Sequence, residues 1–334
     1  MKYGFGIDIG GTTVKAGLFT REGKEVGSRS VPTRTGENGA PMYDDTAALV
    51  KAMLAEYGIA RSDVLGVGLT MPGPIYEDGR IGLANNLDIY GGYPAEEVSR
   101  RLDGLRTLVV NDANAAGLGE LWMGAAKGCR SLCLVTLGTG VGSAVVADGK
   151  VIAGRHGAAG EVGHICVEPE ETEQCNCGAY GCCEYYASAT GIVRVARRML
   201  ASGDPRIPIP EGKAAEDCNA SGSRLGAFGD ALTAKDVCDL AKEGDALARK
   251  ALEFSMDRLA RALAAVTLTV DPEVFVIGGG VAAAGSILTE MIREGLCRYL
   301  PIIREKDHRV TLASLGNKAG MYGAAKLALE PEDN

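Results

Sequence analysis

The sequence predicts an α/β fold made of two similar halves, and three observations carry that expectation. Apolar strand-like runs alternate with segments of helical spacing along most of the 334 residues. The chain opens with a strand, a glycine turn and a second strand at GFGIDIGGTTVKAGLF. The same layout returns over residues 131–146, SLCLVTLGTGVGSAVV, which suggests an internal duplication with a cleft between the halves.

Each element follows from local pattern. Residues 3–9 alternate and run apolar into Gly10, Gly11, Thr12 and Thr13, and 14–20 are strand-like again. Helical spacing covers 41–57, with Pro41 at its start. The apolar run 64–70 is a buried strand stopped by Pro72, Gly73 and Pro74. A strand over 106–110 ends at Asn111 and Asp112, and a helix of small residues follows over 113–124. After the second hairpin come a glycine-rich stretch, 154–163, and a cysteine cluster. One helix is expected from Glu184 to about Leu200. Residues 202–231, rich in Gly, Ser, Asp and Pro, are expected to form a long surface loop without a role. Residues 234–268 are expected to be helical, and 273–277 form a strand running into Gly278, Gly279 and Gly280. A helix over 284–296, a strand over 309–313 and a last helix over about 318–329 complete the chain.

Composition narrows the function. Apolar residues make up 46% of the chain, enough for a sizeable core, and the length suits two ordinary domains. The net charge of −8 argues against nucleic acid as the main partner, because phosphate backbones need a basic face. No apolar run of membrane-spanning length occurs, and MKYGFGIDIGG has no signal-peptide core, so the expected location is cytoplasmic, away from membranes. Four of the ten cysteines crowd together at 175, 177, 182 and 183; in a reducing compartment that reads as metal ligation.

Three glycine loops follow apolar strands: Asp8 to Thr13 with Lys15, Gly138-Thr139-Gly140, and the loop at Gly279. Glycine lets backbone N–H groups approach a polyphosphate closely. No GxxxxGK[ST] loop is present, and GxGxG at 138–142 is followed by a strand, unlike a dinucleotide fingerprint. Any one loop taken alone reads more readily as a hairpin turn; three after strands point to phosphate binding. Asp8 is placed to hold Mg²⁺ through water or to orient a terminal phosphate, with an ordinary turn carboxylate as the alternative. Lys15 is either a phosphate contact or a solvated strand residue.

Phosphoryl transfer to an alcohol needs an acceptor for the hydroxyl proton. Asp112, at the end of an apolar strand, is the candidate, although Asn111-Asp112 taken alone reads better as a helix cap. His164 followed by Cys175, Cys177 and Cys182 gives H-x10-C-x-C-x4-C, three thiolates and one imidazole, which suits a closed tetrahedral structural zinc site, with a group of free buried thiols as the alternative. Such a metal leaves no open position for chemistry and instead pins the loop carrying Glu161, His164 and Glu184. Carboxylates accept hydrogen bonds from sugar hydroxyls, and the second nitrogen of a metal-bound His164 needs a partner that a hydroxyl supplies; the alternative is that Glu161 and Glu184 are solvated surface charges or, for Glu184, a first-turn helix charge.

Asp8-x-Gly10-Gly11-Thr12-x-x-Lys15, Pro72-Gly73, Asn111-Asp112-x-Asn114, Leu137-Gly138-Thr139-Gly140, Glu161-Val162-Gly163-His164 and Cys175-x-Cys177-Gly178-x-x-Gly181-Cys182-x-Glu184 occur in this order. The chain resembles the ROK family of bacterial sugar kinases and repressors, glucokinase type, over nearly its whole length. The resemblance implies an actin-like, two-lobed sugar kinase fold of duplicated RNase H-like halves. The small lobe would be 1–118 with 318–334 returning to it, and the large lobe 119–317. It implies Asp112 as general base, and Gly73, Asn86, Asn111, Asp112, Glu161, His164 and Glu184 as sugar ligands. It places ATP on the loops at 10–13 and 138–140 with Gly279 near the adenosine, Mg²⁺ with the nucleotide, and structural zinc on His164, Cys175, Cys177 and Cys182. A homodimer and a hexose substrate, glucose above all, are implied as well. The glucokinase type often carries leucine where this chain has Cys183, which is small and apolar enough to substitute.

Other hexose specificities share the scaffold: N-acetylmannosamine, fructose, mannose and allose. The family's repressors carry a helix-turn-helix ahead of the first glycine loop, for which a loop beginning at residue 8 leaves no room. A silent sugar-binding protein would not need Asp8, the loops and Asp112 together. A polyphosphate donor fits the acidic composition less well than ATP.

Overall fold

The structure is a computed structural model that describes residues 1–207, 222–305 and 307–331. The chain divides into two compact units: Met1–Leu134, Ala144–Gly160 and the segment from Ser314 form one, and Val135–Ser143 with Glu161–Ala313 form the other.

The first unit contains β1 (Tyr3–Ile9), β2 (Thr13–Thr20), β3 (Glu25–Pro32), α1 (Ala40–Tyr57), β4 (Val64–Met71), the short pair β5 (Leu83–Ala84) and β6 (Ile89–Tyr90), α2 (Pro94–Arg101), β7 (Thr107–Asn111) and α3 (Asp112–Met123). Five strands form a sheet in the order β3-β2-β1-β4-β7. The β1–β2 and β2–β3 pairs are antiparallel, whereas β1–β4 and β4–β7 are parallel. One face buries Phe5, Ile7 and Leu69 with Met42, Val50 and Met53 of α1. The alternation of glycine in GFGIDI and VGVGL has a physical cause on the other face. A Cβ on Gly6 would lie 1.9 Å from the Met321 carbonyl oxygen, and one on Gly68 would lie 1.9 Å from that of Ala324. The C-terminal helix therefore rests backbone to backbone on β1 and β4.

β8 (Leu132–Leu137), β9 (Val141–Ala147) and β10 (Lys150–Val151) follow, and the second sheet has the order β10-β9-β8-β11-β12, with β11 (Phe275–Gly278) parallel to β12 (Val310–Leu312). The second unit also holds α4 (Cys183–Ala187), α5 (Ala189–Ser202), α6 (Ala234–Lys242), α7 (Ala246–Val270) and α8 (Ser286–Tyr299). The last helix, α9 (Ala319–Leu329), belongs to the first unit.

Several expectations need correction. The single helix from Glu184 to Leu200 is two, because Ser188 is extended (φ −68°, ψ 167°) and caps α5 by accepting from the Gly191 N–H. The helical stretch 234–268 is likewise α6 and α7, parted at Asp245, whose carboxylate accepts from Leu247 and Ala248 N–H. Within 202–231, residues 208–221 lie outside the described residues, and Arg224–Ala231 is a 3₁₀ segment rather than loop. β3 and α2 were not expected. Among the described residues no helix is long and apolar enough to cross a membrane.

Candidate active site

In the first unit the parallel register aligns the carboxyl ends of three strands: Asp8 pairs with Thr70, and Met71 pairs with Asn111. Open α/β sheets bind ligands beyond such ends. Asp8 Oδ1 accepts from the Thr70 hydroxyl at 3.0 Å, and Lys15 Nζ lies 3.6 Å from Asp8 Oδ2, so Lys15 is a partner of Asp8 across the hairpin. The turn between them is fixed by the Gly10 N–H donating to the Thr13 carbonyl and by the Thr33 hydroxyl donating to the Gly10 carbonyl. Asn86 adjoins this loop, since a Cβ on Gly11 would come 3.4 Å from the Asn86 carbonyl oxygen. Gly73 has φ +97°, and a Cβ there would lie 2.9 Å from the Leu83 carbonyl oxygen, so the position takes glycine alone.

Asn111 and Asp112 divide the labour that the dipeptide left open. Asn111 is the cap of α3: its Oδ1 accepts from the N–H groups of Ala113 and Asn114, and its Nδ2 donates to the Gly73 carbonyl at 3.1 Å. Asp112 Oδ1 accepts from the Ala113 N–H at 2.8 Å, and the side chain keeps a solvent-facing edge although protein mass surrounds it. Burial by the surrounding protein mass pushes the Asp112 carboxyl above its ordinary range, the negative charge of Asp8 pushes the same way, and the Ala113 N–H only partly offsets them.

In the second unit the β8–β9 turn is closed by the Gly138 N–H donating to the Gly140 carbonyl. The Ala189 N–H at the start of α5 donates to the Gly138 carbonyl, and the Thr190 hydroxyl donates to that of Thr139. Gly279 (φ +81°) packs on the end of β8 so closely that a Cβ would meet the Leu137 carbonyl oxygen at 2.4 Å. A cavity of about 370 Å³ opens from Gly138 and Thr139 past Gly280 and Ala284 to Ala234 and Cys238 of α6. Its mostly apolar wall suits an adenine ring. The α6 wall was not foreseen, although Thr233 and Asp236 form a capping box that marks the helix start.

The four metal-ligand candidates converge. One donor atom each of His164, Cys175, Cys177 and Cys182 lies within 4.8 Å of all the others. The Sγ atoms of Cys177 and Cys182 are 3.6 Å apart, against about 3.8 Å for thiolates on a tetrahedral zinc. The donor set and spacing fit that ion. Two glycines make the turn: Gly178 (φ +89°) donates its N–H to the Cys175 carbonyl, and a Cβ on Gly181 would lie 2.0 Å from the Glu168 carbonyl oxygen. From behind, Arg258 pairs with Glu168, and Arg261 donates to the Val167 carbonyl.

His164 ends a 3₁₀ turn begun at Val162, donating its N–H to the Glu161 carbonyl, and both Glu161 and His164 are exposed. Glu184 reaches the glycine turn: its Oε2 accepts from the Val141 N–H at 2.8 Å, and its Oε1 stands 4.0 Å from Cys175 Sγ.

Two strand-end glycine hairpins, a carboxylate held above its usual range and an adenine-sized cavity on such sheets define an ATP-dependent sugar kinase of the actin-like class. The ROK family model matches residues 4–331. A glucokinase from Halalkalibacterium halodurans is 37% identical over 98% of this chain and 96% of that protein. Among solved structures, the ROK hexokinase of Thermus thermophilus superposes with a TM-score of 0.76 at 28% identity, covering 97% of both chains. A ROK family glucokinase from Streptomyces griseus, solved with glucose and AMPPNP, has a TM-score of 0.68 at 32% identity, covering 97% of this chain and 98% of that one. The chain belongs to the ROK family.

Proposed function

We propose that this sugar kinase transfers the γ-phosphoryl group of ATP to the 6-hydroxyl of glucose, with Asp112 as general base. The observation that carries the reading is the arrangement at the start of α3. Asn111 satisfies the helix end, and Asp112 is left as a carboxylate with raised proton affinity beside Asp8. A base of raised pKa takes a hydroxyl proton better, and such groups contribute roughly 10²–10⁴-fold.

The sugar is held by Gly73, Asn86, Asn111, Glu161, His164 and Glu184. Its attacking hydroxyl gives its proton to Asp112 as the oxygen–phosphorus bond forms and ADP leaves. The backbone of Gly10, Gly11, Thr12, Thr13, Gly138, Thr139 and Gly140 receives the phosphates, and Gly279 borders the adenosine. Asp8 would hold Mg²⁺, which would supply neutralisation of phosphate charge. His164, Cys175, Cys177 and Cys182 would hold one zinc ion, which would supply a cross-link for the loop that carries Glu161 and His164. The glucokinase relatives support glucose as the substrate. We read the enzyme as a cytoplasmic homodimer, an expectation that sedimentation and fractionation test.

The test is ADP release with ATP and Mg²⁺ across a panel of hexoses and N-acetylhexosamines. The highest kcat/KM with glucose supports the reading. Turnover confined to N-acetylmannosamine, fructose, mannose or allose overturns the substrate and keeps the mechanism. No turnover by zinc-loaded protein that binds glucose overturns the kinase reading.

A further inference from the structure

A second cavity of the second unit lies beside the adenine-sized one. It has a volume of about 620 Å³ and lies between α5 and the start of α6, sharing Ala189, Thr233 and Ala234 with the adenine-sized cavity. One face of α5 supplies Thr190, Val193, Arg194 and Arg197, spaced three and four residues apart.

The charges around this cavity pair unevenly. Arg198, fully buried at its rim, is paired with Glu171 at 2.7 Å and with Glu173 at 2.6 Å. Arg194 is different: it stacks 3.7 Å over the Tyr185 ring and donates to the Tyr185 carbonyl, and among the described residues no carboxylate pairs with it. Arg197 donates through one terminal nitrogen to the Asp230 carbonyl at 3.0 Å, with the exposed Asp230 carboxylate 3.8 Å away. Its Nε is buried, and among the described residues it has no acceptor.

Two helix starts add to the field. The Gly191 N–H of α5 is capped by Ser188, and the Asp236 N–H of α6 by Thr233, while the N–H groups of Thr190, Ala234 and Lys235 have no acceptor within their own helices. Helix N-termini carry partial positive charge, and planar guanidinium groups match tetrahedral oxyanions. Glu173 also lines the cavity; its pairing with Arg198 leaves Arg194 without a carboxylate among the described residues and Arg197 with only the longer pair to Asp230.

We propose that this cavity is a second anion site of the chain, taking a small phosphate-bearing ligand, either orthophosphate or a phosphate monoester. It is separate from the nucleotide pocket, which lies on the other side of Ala189 and Thr233. The assignment of that pocket to ATP rests on the proposed function; the anion site itself does not.

The experiment is equilibrium dialysis of the full chain with radiolabelled orthophosphate and, separately, glycerol 3-phosphate, each with and without saturating AMPPNP. The expected result is saturable binding of at least one probe that persists with AMPPNP present and weakens at least tenfold in Arg194→Gln/Arg197→Gln. Val193→Glu, which touches neither guanidinium contact, should weaken it similarly, and a native circular dichroism spectrum establishes folding of both variants. The tighter probe identifies the source of the phosphate. Displacement by AMPPNP, binding that neither variant changes, or no saturable binding by wild type would each overturn the proposal. Because no reading depends on turnover, failure here is distinguishable from failure of the kinase reading.

Discussion

Val141 donates its backbone N–H to Glu184 Oε2 over 2.8 Å, and the other oxygen of the same carboxylate stands 4.0 Å from Cys175 Sγ. One side chain thus joins the glycine turn at 138–140 to the helix that follows the cysteine cluster. Gly140 has no Cβ for the same reason, since one would lie 2.5 Å from Glu184 Oε2.

Glu184→Ala removes a charged acceptor from a backbone N–H, a loss of about 1.5–3 kcal/mol. If that loss is felt in the transition state, kcat/KM falls roughly 10- to 100-fold by the usual conversion of free energy to rate. Glu184→Gln keeps an acceptor and should recover part of the loss. Steady-state kinetics with both substrates varied checks this; a wild-type kcat/KM for Glu184→Ala would detach Glu184 from the site.

The pH profile reports the setting of Asp112. Burial first, and the Asp8 charge second, raise its pKa, so the protonated carboxylic acid persists to higher pH than in an ordinary aspartate. A protonated base cannot accept the hydroxyl proton, so kcat/KM falls as pH drops through this raised value. Asp8→Asn removes the second cause and should move the acid limb to lower pH, whatever it does to the plateau. For stability the sign is opposite to that of a salt-bridged carboxylate. The folded chain binds this proton more tightly than the unfolded chain does, so the contribution of Asp112 declines as pH rises from its unfolded to its folded pKa. Asp112→Asn should therefore be at least as stable as wild type at neutral pH, which thermal melts test.

Zinc removal should act on shape before chemistry. Metal analysis is expected to find about one zinc per chain, because three thiolates and one imidazole complete a tetrahedral shell. Cys177→Ser should lower the melting temperature and weaken glucose binding, since the metal's affinity is also folding energy. Calorimetry with glucose on the folded variant reads the second effect separately. A metal-free chain with unchanged stability and glucose affinity would contradict the assignment.

How much of this was legible in sequence depended on whether a local signal had a local cause. The hairpins at 10–13 and 138–140 were legible because glycine between two apolar strands admits few alternatives. The H-x10-C-x-C-x4-C spacing was legible because those residue types seldom gather without a metal. β3 was missed because EVGSRSVP is a largely exposed edge strand with little apolar patterning. α2 was missed because PAEEVSRR buries only Pro94 and Val98, although proline at its start, acidic residues in its first turn and arginines in its last turn marked it. The breaks at Ser188 and Asp245 were hidden inside helical periodicity, and capping residues were the available clue. The wall that Ala234 and Cys238 give the nucleotide cavity is a tertiary fact, brought about by packing between segments far apart in sequence.

The central claim is that Asp112 takes the proton from the sugar. The most direct measurement pairs turnover with binding in one variant: kcat for ADP release, and the glucose Kd by calorimetry, for wild type and Asp112→Asn. The account predicts a fall in kcat of about 10²–10⁴-fold with glucose affinity changed by less than about tenfold. Near-wild-type turnover in Asp112→Asn would contradict it and place the base on another residue.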